Sequence, residues 1–394
     1  MIKNRDIIIV GQQAWDVEIG SNCKNIALEF SKHNRVLYVN PPLDRITKIR
    51  YRRVPKVVKR IKIIDGKLKG LVKIKNNLWT YYPDILIESI NWIRIHSVFY
   101  YLNKRNNQLF ATSTQKAIAE LQFLDYILFN DSDMFRSFHL KELLSPQMNI
   151  YYSRDNLLAT DYWKRHGRIL EPKLIQKSDF CFTNSEYLKK YCKKYNPKSY
   201  YVGQGCDLEL FKTGDLTQIP TQLKGMKSPI IGYVGVLTSL RLDIDLIIYI
   251  AEAIPEWNIV LVGPQDEAFR NSRIHDIKNV IFLDAQKPED MPKYINAFNV
   301  CINPQILNDL TIGNYPRKID EYLALGKPVV ATKTEAMVTF KDYVLLAENK
   351  YEFVEMVKEA IEQDDIELIG DRKEFAFSHS WKNSVEMISN YIIS

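Results

Sequence analysis

NYPRKIDEYLALGKPVVAT, residues 314–332, reads as a short helix running straight into a buried strand. Pro316 sits where a helix begins, Ile319, Tyr322 and Leu323 supply one buried face, and Gly326 is a natural left-handed stop. Lys327 and Pro328 lead directly into the apolar run PVVAT. This order places the amino end of the helix at the carboxyl edge of a parallel sheet, where open α/β sheets bind their ligands. A helix amino end offers unpaired N–H groups and about half a positive charge, which suits a diphosphate. Lys318 in the first turn adds a cation, and Glu321 can accept two hydrogen bonds from a vicinal diol such as a ribose. A cation there opposes the helix dipole by a few tenths of a kcal/mol, a conflict that a bound anion resolves. The alternative is a solvated lysine and a glutamate on an ordinary exposed helix face.

The same alternation extends in both directions. IIGYVG (230–235), NIVLVG (258–263), VIFLD (280–284) and VCINP (300–304) read as buried parallel strands upstream of PVVAT. Between and after them, Met291, Tyr294, Ile295 and Phe298 mark one helical face, and Phe353, Val357, Ala360 and Ile361 another. In the first half, IIIVG (7–11), VLYVN (36–40), LWTYYP (78–83), DYILFND (125–131), NIYYSRD (149–155) and DFCFTNS (179–185) repeat the pattern. Residues 213–228, TGDLTQIPTQLKGMKS, have linker composition. A chain of 394 residues suits two cores. The expectation is therefore α/β with two Rossmann-like domains and a cleft between them: 1–212, a linker at 213–228, 229–375, and a closing helix at 376–394 that returns to the first domain.

Composition narrows the function classes. Apolar residues make up 46% and charged residues 26%, as in soluble globular proteins. The first twenty residues hold only a short apolar run, and nowhere do about eighteen apolar residues follow one another, so neither an export signal nor a spanning helix is expected. The five cysteines, Cys23, Cys181, Cys192, Cys206 and Cys301, are scattered, which argues against a disulfide framework or a zinc site and suits a reduced cytoplasm. Residues 45–75 hold thirteen Lys or Arg against one acid, Asp65, so that the rest of the chain is net acidic. Val54, Val57, Val58, Ile61, Ile63 and Ile64 interleave those cations. Such a segment can lie on an anionic leaflet as a peripheral contact; a solvated charged loop is the plain alternative. No RNP-like motif or recognition helix accompanies it, so nucleic acid is not an expected partner.

At this point the residues resemble a family. PRKIDEYLALGKPVVAT looks like the nucleotide-sugar signature of the large group of retaining glycosyltransferases of the EX7E type with the GT-B fold, in which the Glu contacts the donor ribose. GYVGVLTSLR (232–241) resembles that group's first strand and loop, with Arg241 in the place of a diphosphate-contacting basic residue. WNIVLVGP (257–264) resembles its second strand and donor-contacting turn, KSDFCFTNSEYL and GQGCDLELF (203–211) its late first-domain segments, and AFSHSWKNSVEMI (376–388) its closing helix. GQQAWD, VLYVNPP and LDIDLI look most like enzymes of cell-surface polysaccharide or teichuronic-acid assembly. Two positions depart from the pattern. The first acid of the paired-Glu motif falls on Gly313, and the Arg beside the first glycine loop is Val236.

The resemblance implies a hexosyltransferase-like enzyme taking a nucleotide-sugar donor, UDP-linked by family frequency, with no further cofactor. Donor contacts fall on Gly235, Gly263, Pro264, Asn314, Tyr315, Pro316 and Glu321. Arg241, Lys318 and the amino end near Asn314 and Tyr315 would neutralise the leaving diphosphate, a role in which losing one donor typically costs about 3 kcal/mol of barrier. They would stand in place of a divalent metal. Asp131-Ser132-Asp133 matches a DxD in letters, but a chance match or a helix cap accounts for it better. Asp155, after NIYYSRD, is the candidate for binding or polarising the acceptor, or else a cap. Gly20, Ser21 and Asn22 form a small-residue loop on the acceptor side. The acceptor expected is a glycan or a polyprenyl-diphosphate-linked one, met in the cytoplasm with the inner face of the cell membrane in reach of residues 45–75. Two competitors stand beside this reading: a nucleotide-sugar epimerase, whose carboxylate-and-histidine set is not found here, and a non-catalytic donor-binding partner subunit, which Gly313 and Val236 make conceivable.

Overall fold

The structure, a computed structural model, describes residues 1–17, 21–213, 216, 218–226, 229–363 and 366–393. Contacts divide the chain into two compact units, Met1–Gly203 with Trp381–Ser394, and Gln204–Ser380. The chain has parallel α/β sheets in both, as expected from the alternation of apolar runs and helical faces.

The first unit carries β1 (Asp6–Val10), β2 (Arg35–Val39), β3 (Leu43–Asp44), β4 (Leu71–Lys75), β5 (Leu78–Tyr81), β6 (Leu86–Ile87), β7 (Ile127–Asp131), β8 (Met148–Ser153), β9 (Phe180–Thr183) and β10 (Ser199–Tyr201). Eight of these form one sheet in the order β10-β9-β8-β7-β1-β2-β5-β4, and β3 and β6 pair separately. Every pairing in the large sheet is parallel except β4 with β5. Strand order reverses between β1 and β7, so loops leaving their carboxyl ends diverge there and open a crevice. The closing helix Trp381–Ile393 packs on this unit: Trp381, Val385 and Ile388 share a core with Ile26, Ala27 and Phe30. Tyr391 stacks on Tyr200 at 4.0 Å between ring centroids.

The second unit carries β11 (Ile230–Val234), β12 (Asn258–Val262), β13 (Val280–Leu283), β14 (Val300–Asn303), β15 (Val329–Thr332) and β16 (Leu345–Ala347). Their order is β13-β12-β11-β14-β15-β16, all parallel. Side chains alternate between two apolar layers: Ile230 and Val234 of β11 face one, Ile231 and Tyr233 the other. Here the reversal lies between β11 and β14, and residues 235–242 and 304–317 leave the sheet beside it.

Several bounds differ from the sequence reading. The unit boundaries fall at Gly203/Gln204 and Ser380/Trp381, whereas the sequence placed them at 212, 229 and 376. Within 213–228, residues Thr221–Leu223 form a 3-10 turn whose Leu223 is buried with Leu208 and Phe211 in the second unit, and residues 214, 215, 217, 227 and 228 lie outside the described residues. The run 376–388 is not one helix. Ile366–Ser378 ends before His379, and a new helix starts at Trp381. The break has a cause: the Cys206 N–H donates to the His379 carbonyl at 2.8 Å and Cys206 bridges Ser380 as in a parallel ladder, which holds the chain extended.

Candidate functional site

In the second unit the carboxyl ends of β11 and β12 are bound tightly to one another. Gly235 and Gly263 have φ of +146° and +143°, a region that side chains rarely adopt. A Cβ on Gly263 would lie 2.0 Å from the Gly235 carbonyl oxygen, and one on Gly235 would lie 2.9 Å from Lys318 Nζ. The Leu237 N–H donates to the Pro264 carbonyl at 2.8 Å, and Asp266 accepts from the Ser239 N–H at 2.7 Å. The loop after β11 is thus fixed by the loop after β12. On its other side the Ile306 N–H donates to the Arg241 carbonyl at 3.0 Å and Asn308 Nδ2 to the Leu240 carbonyl at 3.0 Å. Arg241 is consequently held by its backbone from both sides while its side chain stays exposed.

Lys318 opens the helix Lys318–Ala324, two residues later than Pro316 suggested. Proline fits a first turn, but the Pro316 carbonyl already receives the Ile319 N–H at 2.9 Å in a turn that precedes the helix. The Lys318 ammonium donates to the Tyr233 hydroxyl and lies 3.9 Å from the centroid of that ring. Burial is the largest influence on it, with Arg241 acting in the same direction and Glu321 against, and its pKa falls to about 7. The conflict between a first-turn cation and the helix dipole is therefore eased by partial loss of the charge itself. Glu321 is pushed up by burial, against Arg317 and Lys318, which favour its ionised form. A strongly perturbed lysine beside a perturbed carboxylate at a sheet's carboxyl edge marks a functional candidate.

The remaining predicted donor residues divide. Gly235, Gly263, Lys318 and Glu321 converge, and Arg241 is close enough to Lys318 to affect its charge. Pro264 is exposed at the turn. Asn314 lies before the helix, and its N–H is engaged by the Thr311 carbonyl at 3.2 Å. Tyr315 points inward: it is 5% exposed, its ring packs near Phe340 and its hydroxyl is 3.1 Å from His379 Nδ1. Beneath the helix the wholly buried Asp320 receives His379 Nδ1 at 2.7 Å and the Cys206 thiol at 3.1 Å. This cluster anchors the underside of the helix, and burial beside Asp320 raises the Cys206 pKa. Nothing in the spacing of residues 206, 320 and 379 signals it. Tyr233 was likewise missed, because an alternating strand residue gives no hint that a lysine 85 positions later rests on it.

In the first unit, Asp155 does not stand alone. Arg154 reaches Asp131 through Nε at 2.8 Å and Asp155 through a terminal nitrogen at 2.8 Å, and it donates to Gln12 Oε1 at 3.2 Å. Asp131 is fully buried and also accepts the Gln12 N–H at 3.2 Å. Arg154 therefore joins the ends of β1, β7 and β8 at the strand-order reversal. Asp133 accepts the N–H groups of Phe135 and Arg136 at 3.2 and 2.9 Å and pairs with the Arg136 side chain at 2.6 Å, which closes a turn rather than capping a helix, since the next helix opens at Leu140. Ser21 precedes the helix Asn22–Phe30 without capping it through its side chain, Asn22 is buried, and Gly20 lies outside the described residues.

The basic segment proves to be ordered. It forms the helices Arg45–Arg50 and Pro55–Ile64 and then β4. Val57 and Ile63, read as surface anchors, are 7% and 2% exposed and belong to the interior. Arg60 pairs with Asp16 at 2.9 Å, and Lys59 lies 3.8 Å from the Tyr82 ring centroid. Ile46, Ile49, Tyr51 and Val54 remain exposed beside Arg50, Arg52 and Arg53.

Comparison with known proteins bears on both units. Residues 228–363 match the family described as Glycosyl transferases group 1. Over 211 residues the chain is 28% identical to the Bacillus subtilis (strain 168) protein named "Putative teichuronic acid biosynthesis glycosyltransferase TuaH". That alignment covers 51% of each, so the chain spans about half the length of the curated relative it matches. Among solved structures, Anabaena Alr3699/HepE in complex with UDP superposes with a TM-score of 0.67 at 12% identity, covering 99% of both chains. Sucrose-phosphate synthase from Thermosynechococcus elongatus gives 0.66 at 13%, covering 99% of this chain and 98% of that one. The E. coli trehalose-6-phosphate protein bound with UDP-2-fluoro glucose gives 0.67 at 10%, covering 98% of both. The chain thus has the two-domain GT-B fold, and its second unit carries a glycosyl transferases group 1 domain.

Proposed function

We propose that the chain is a retaining glycosyltransferase that moves a sugar from a UDP-sugar to a glycan or lipid-linked acceptor in cell-surface polysaccharide assembly. The observation that carries this reading is the convergence of Lys318, Glu321 and Arg241 on the glycine-laced carboxyl edge of β11 and β12. Glycosyl transfer is slow because negative charge grows on the departing nucleoside diphosphate as the anomeric bond breaks. Cations fixed beforehand stabilise that charge more than they stabilise the substrate. Lys318 sits in a site dry enough to depress its pKa to about 7, so its attraction for a diphosphate is weakly screened. Binding the anion restores the full ammonium. In this reading Glu321, one turn on, accepts from the ribose diol.

With Arg241 and Lys318 as the positive charge, no metal is required in this scheme. Retention needs no carboxylate pair if the acceptor hydroxyl enters on the leaving-group side. Asp155, oriented by Arg154, is the candidate to receive or align that hydroxyl. Residues 45–54 support work at the inner face of the cell membrane, since exposed cations and apolar side chains alternate there. Among the described residues no helix is long and apolar enough to cross a membrane.

The test is turnover of radiolabelled UDP-sugars with a membrane lipid extract, with and without EDTA. Transfer of label to lipid or glycan, unaffected by EDTA, is expected. Isomerised free nucleotide-sugar would indicate an epimerase instead. UDP binding with no product would indicate a donor-binding partner subunit, the competitor that Gly313 and the exposed Val236 make conceivable.

A further inference from the structure

The first unit contains a cavity of about 640 Å³ at the carboxyl edge of its sheet, bordered by residues that follow β1, β2 and β7. Its polar lining has donors without acceptors. Asn103 is 1% exposed, yet its Nδ2 has no hydrogen-bond partner; the Nε2 of Gln12 is in the same condition, its Oε1 being turned to Arg154. Buried amides are normally satisfied, and an orphaned one asks for an explanation. Arg50 also lines the space. Two of the carboxylates present are already matched: Glu88 by both arms of Arg45 at 2.9 and 2.6 Å, and Asp44 by the Thr47 N–H at 3.0 Å and the hydroxyls of Thr47 and Ser89. The third lining carboxylate, Asp161, opens the helix Asp161–Lys177, where the helix dipole favours its charge, and Arg165 lines the space with Arg50; the unmet need is for a ligand rich in acceptors that these arginines can pair.

The mouth has the opposite character. Ile46, Tyr51, Trp92 and Tyr162 line the cavity and are 37%, 55%, 68% and 62% exposed. Four large apolar side chains gathered at an opening are unusual for a surface facing only water. Arg52 and Arg53 stand exposed next to Tyr51. A donor-lined interior opening through an aromatic, cationic mouth is complementary to a molecule with an anionic head and a hydrocarbon chain.

We propose that this cavity holds the phosphate-bearing head of a lipid-linked acceptor. Asn103, Gln12 and Arg50 meet the phosphate, while Tyr51, Trp92 and Tyr162 receive the first part of the chain. The word acceptor rests on the transferase reading; the binding chemistry does not. Gln12 also joins the cavity to the Arg154 and Asp155 pair, so a head seated there lies along the edge that carries the candidate acceptor group.

The test measures binding of geranylgeranyl diphosphate, inorganic pyrophosphate and geranylgeraniol by calorimetry and by the emission shift of Trp92, with Trp92→Phe as the spectral control. Geranylgeranyl diphosphate is expected to bind at least tenfold more tightly than either half alone. Asn103→Leu removes an unpartnered donor and fills the same space, so it should keep or raise the melting temperature while weakening geranylgeranyl diphosphate at least tenfold and leaving UDP affinity unchanged. Equal affinities for the amphiphile and its halves, or an Asn103→Leu variant that binds as the wild type does, would overturn the assignment. Phosphatidylglycerol vesicles that compete fully and are indifferent to Asn103→Leu would reduce the site to a general membrane contact and also overturn it. Loss of UDP binding alone, with amphiphile binding intact, would sink the transferase reading and leave this site standing.

Discussion

Lys318 offers the sharpest prediction, because its environment fixes both the sign and the size of a pH effect. Its free pKa is about 7, lowered chiefly by burial, and a diphosphate beside it restores the protonated form. A ligand that binds only the protonated lysine loses affinity tenfold per pH unit above the free pKa. Between pH 7.5 and 9, where the second phosphate pKa near 6 no longer matters, UDP affinity should fall roughly 20-fold, about 2 kcal/mol. Calorimetric titration of UDP at half-unit steps measures this directly. Lys318→Met should bind weakly at all pH values and show no such slope. The apo protein gives an independent check on sign. The unfolded lysine keeps its proton to about pH 10.4 whereas the folded one releases it near 7, so in that window the unfolded state holds more protons and stability rises with pH. The melting temperature of wild type relative to Lys318→Met should therefore increase from pH 7 upward. A wild-type UDP affinity that is flat from pH 7.5 to 9, with Lys318→Met indistinguishable from it, would refute the reasoning.

Gly263→Ala should be severe: a positive φ and a Cβ 2.0 Å from a backbone oxygen together cost roughly 3 kcal/mol or more. A melt should show Tm lower by about 6–12 °C, and an unchanged melt would mean the two loops are not in contact. Arg154→Leu leaves the buried Asp131 without its counter-ion, which typically costs about 3–5 kcal/mol; denaturant titration checks this, and a loss under about 1 kcal/mol would show the pair to be solvated. Glu321→Ala should weaken UDP more than it weakens inorganic pyrophosphate, because the carboxylate is assigned to the ribose; equal weakening of both would remove that assignment.

The strands that form the interior of both sheets were legible because burial on both faces leaves continuous apolar runs such as DIIIV and NIVLV. β4 was not, although LVKIK alternates: it is an exposed edge strand inside a charge run, and the lysines that blunt such an edge also disguise it. β10 and β16 span three residues each, too few for a period to show. At the site, the helix and its Lys318 and Glu321 could be read locally, since a proline, a buried face and a glycine stop lie within eleven residues of one another. Which partners those side chains find could not. Tyr233 under Lys318, His379 and Cys206 on Asp320, and Arg154 on Asp131 join positions far apart in the chain. Tyr315 shows the limit from the other side: its place near the helix start says nothing of its ring, which packs beside Phe340 in the interior.

The central claim, that the carboxyl edge of β11 and β12 grips a nucleoside diphosphate, is tested most directly by a crystal structure with UDP. The diphosphate is expected within hydrogen-bonding distance of Lys318 Nζ and the Arg241 guanidinium, with the ribose hydroxyls on Glu321. UDP bound elsewhere in the second unit, with Lys318 still resting on Tyr233 and Glu321 without a ligand, would contradict it.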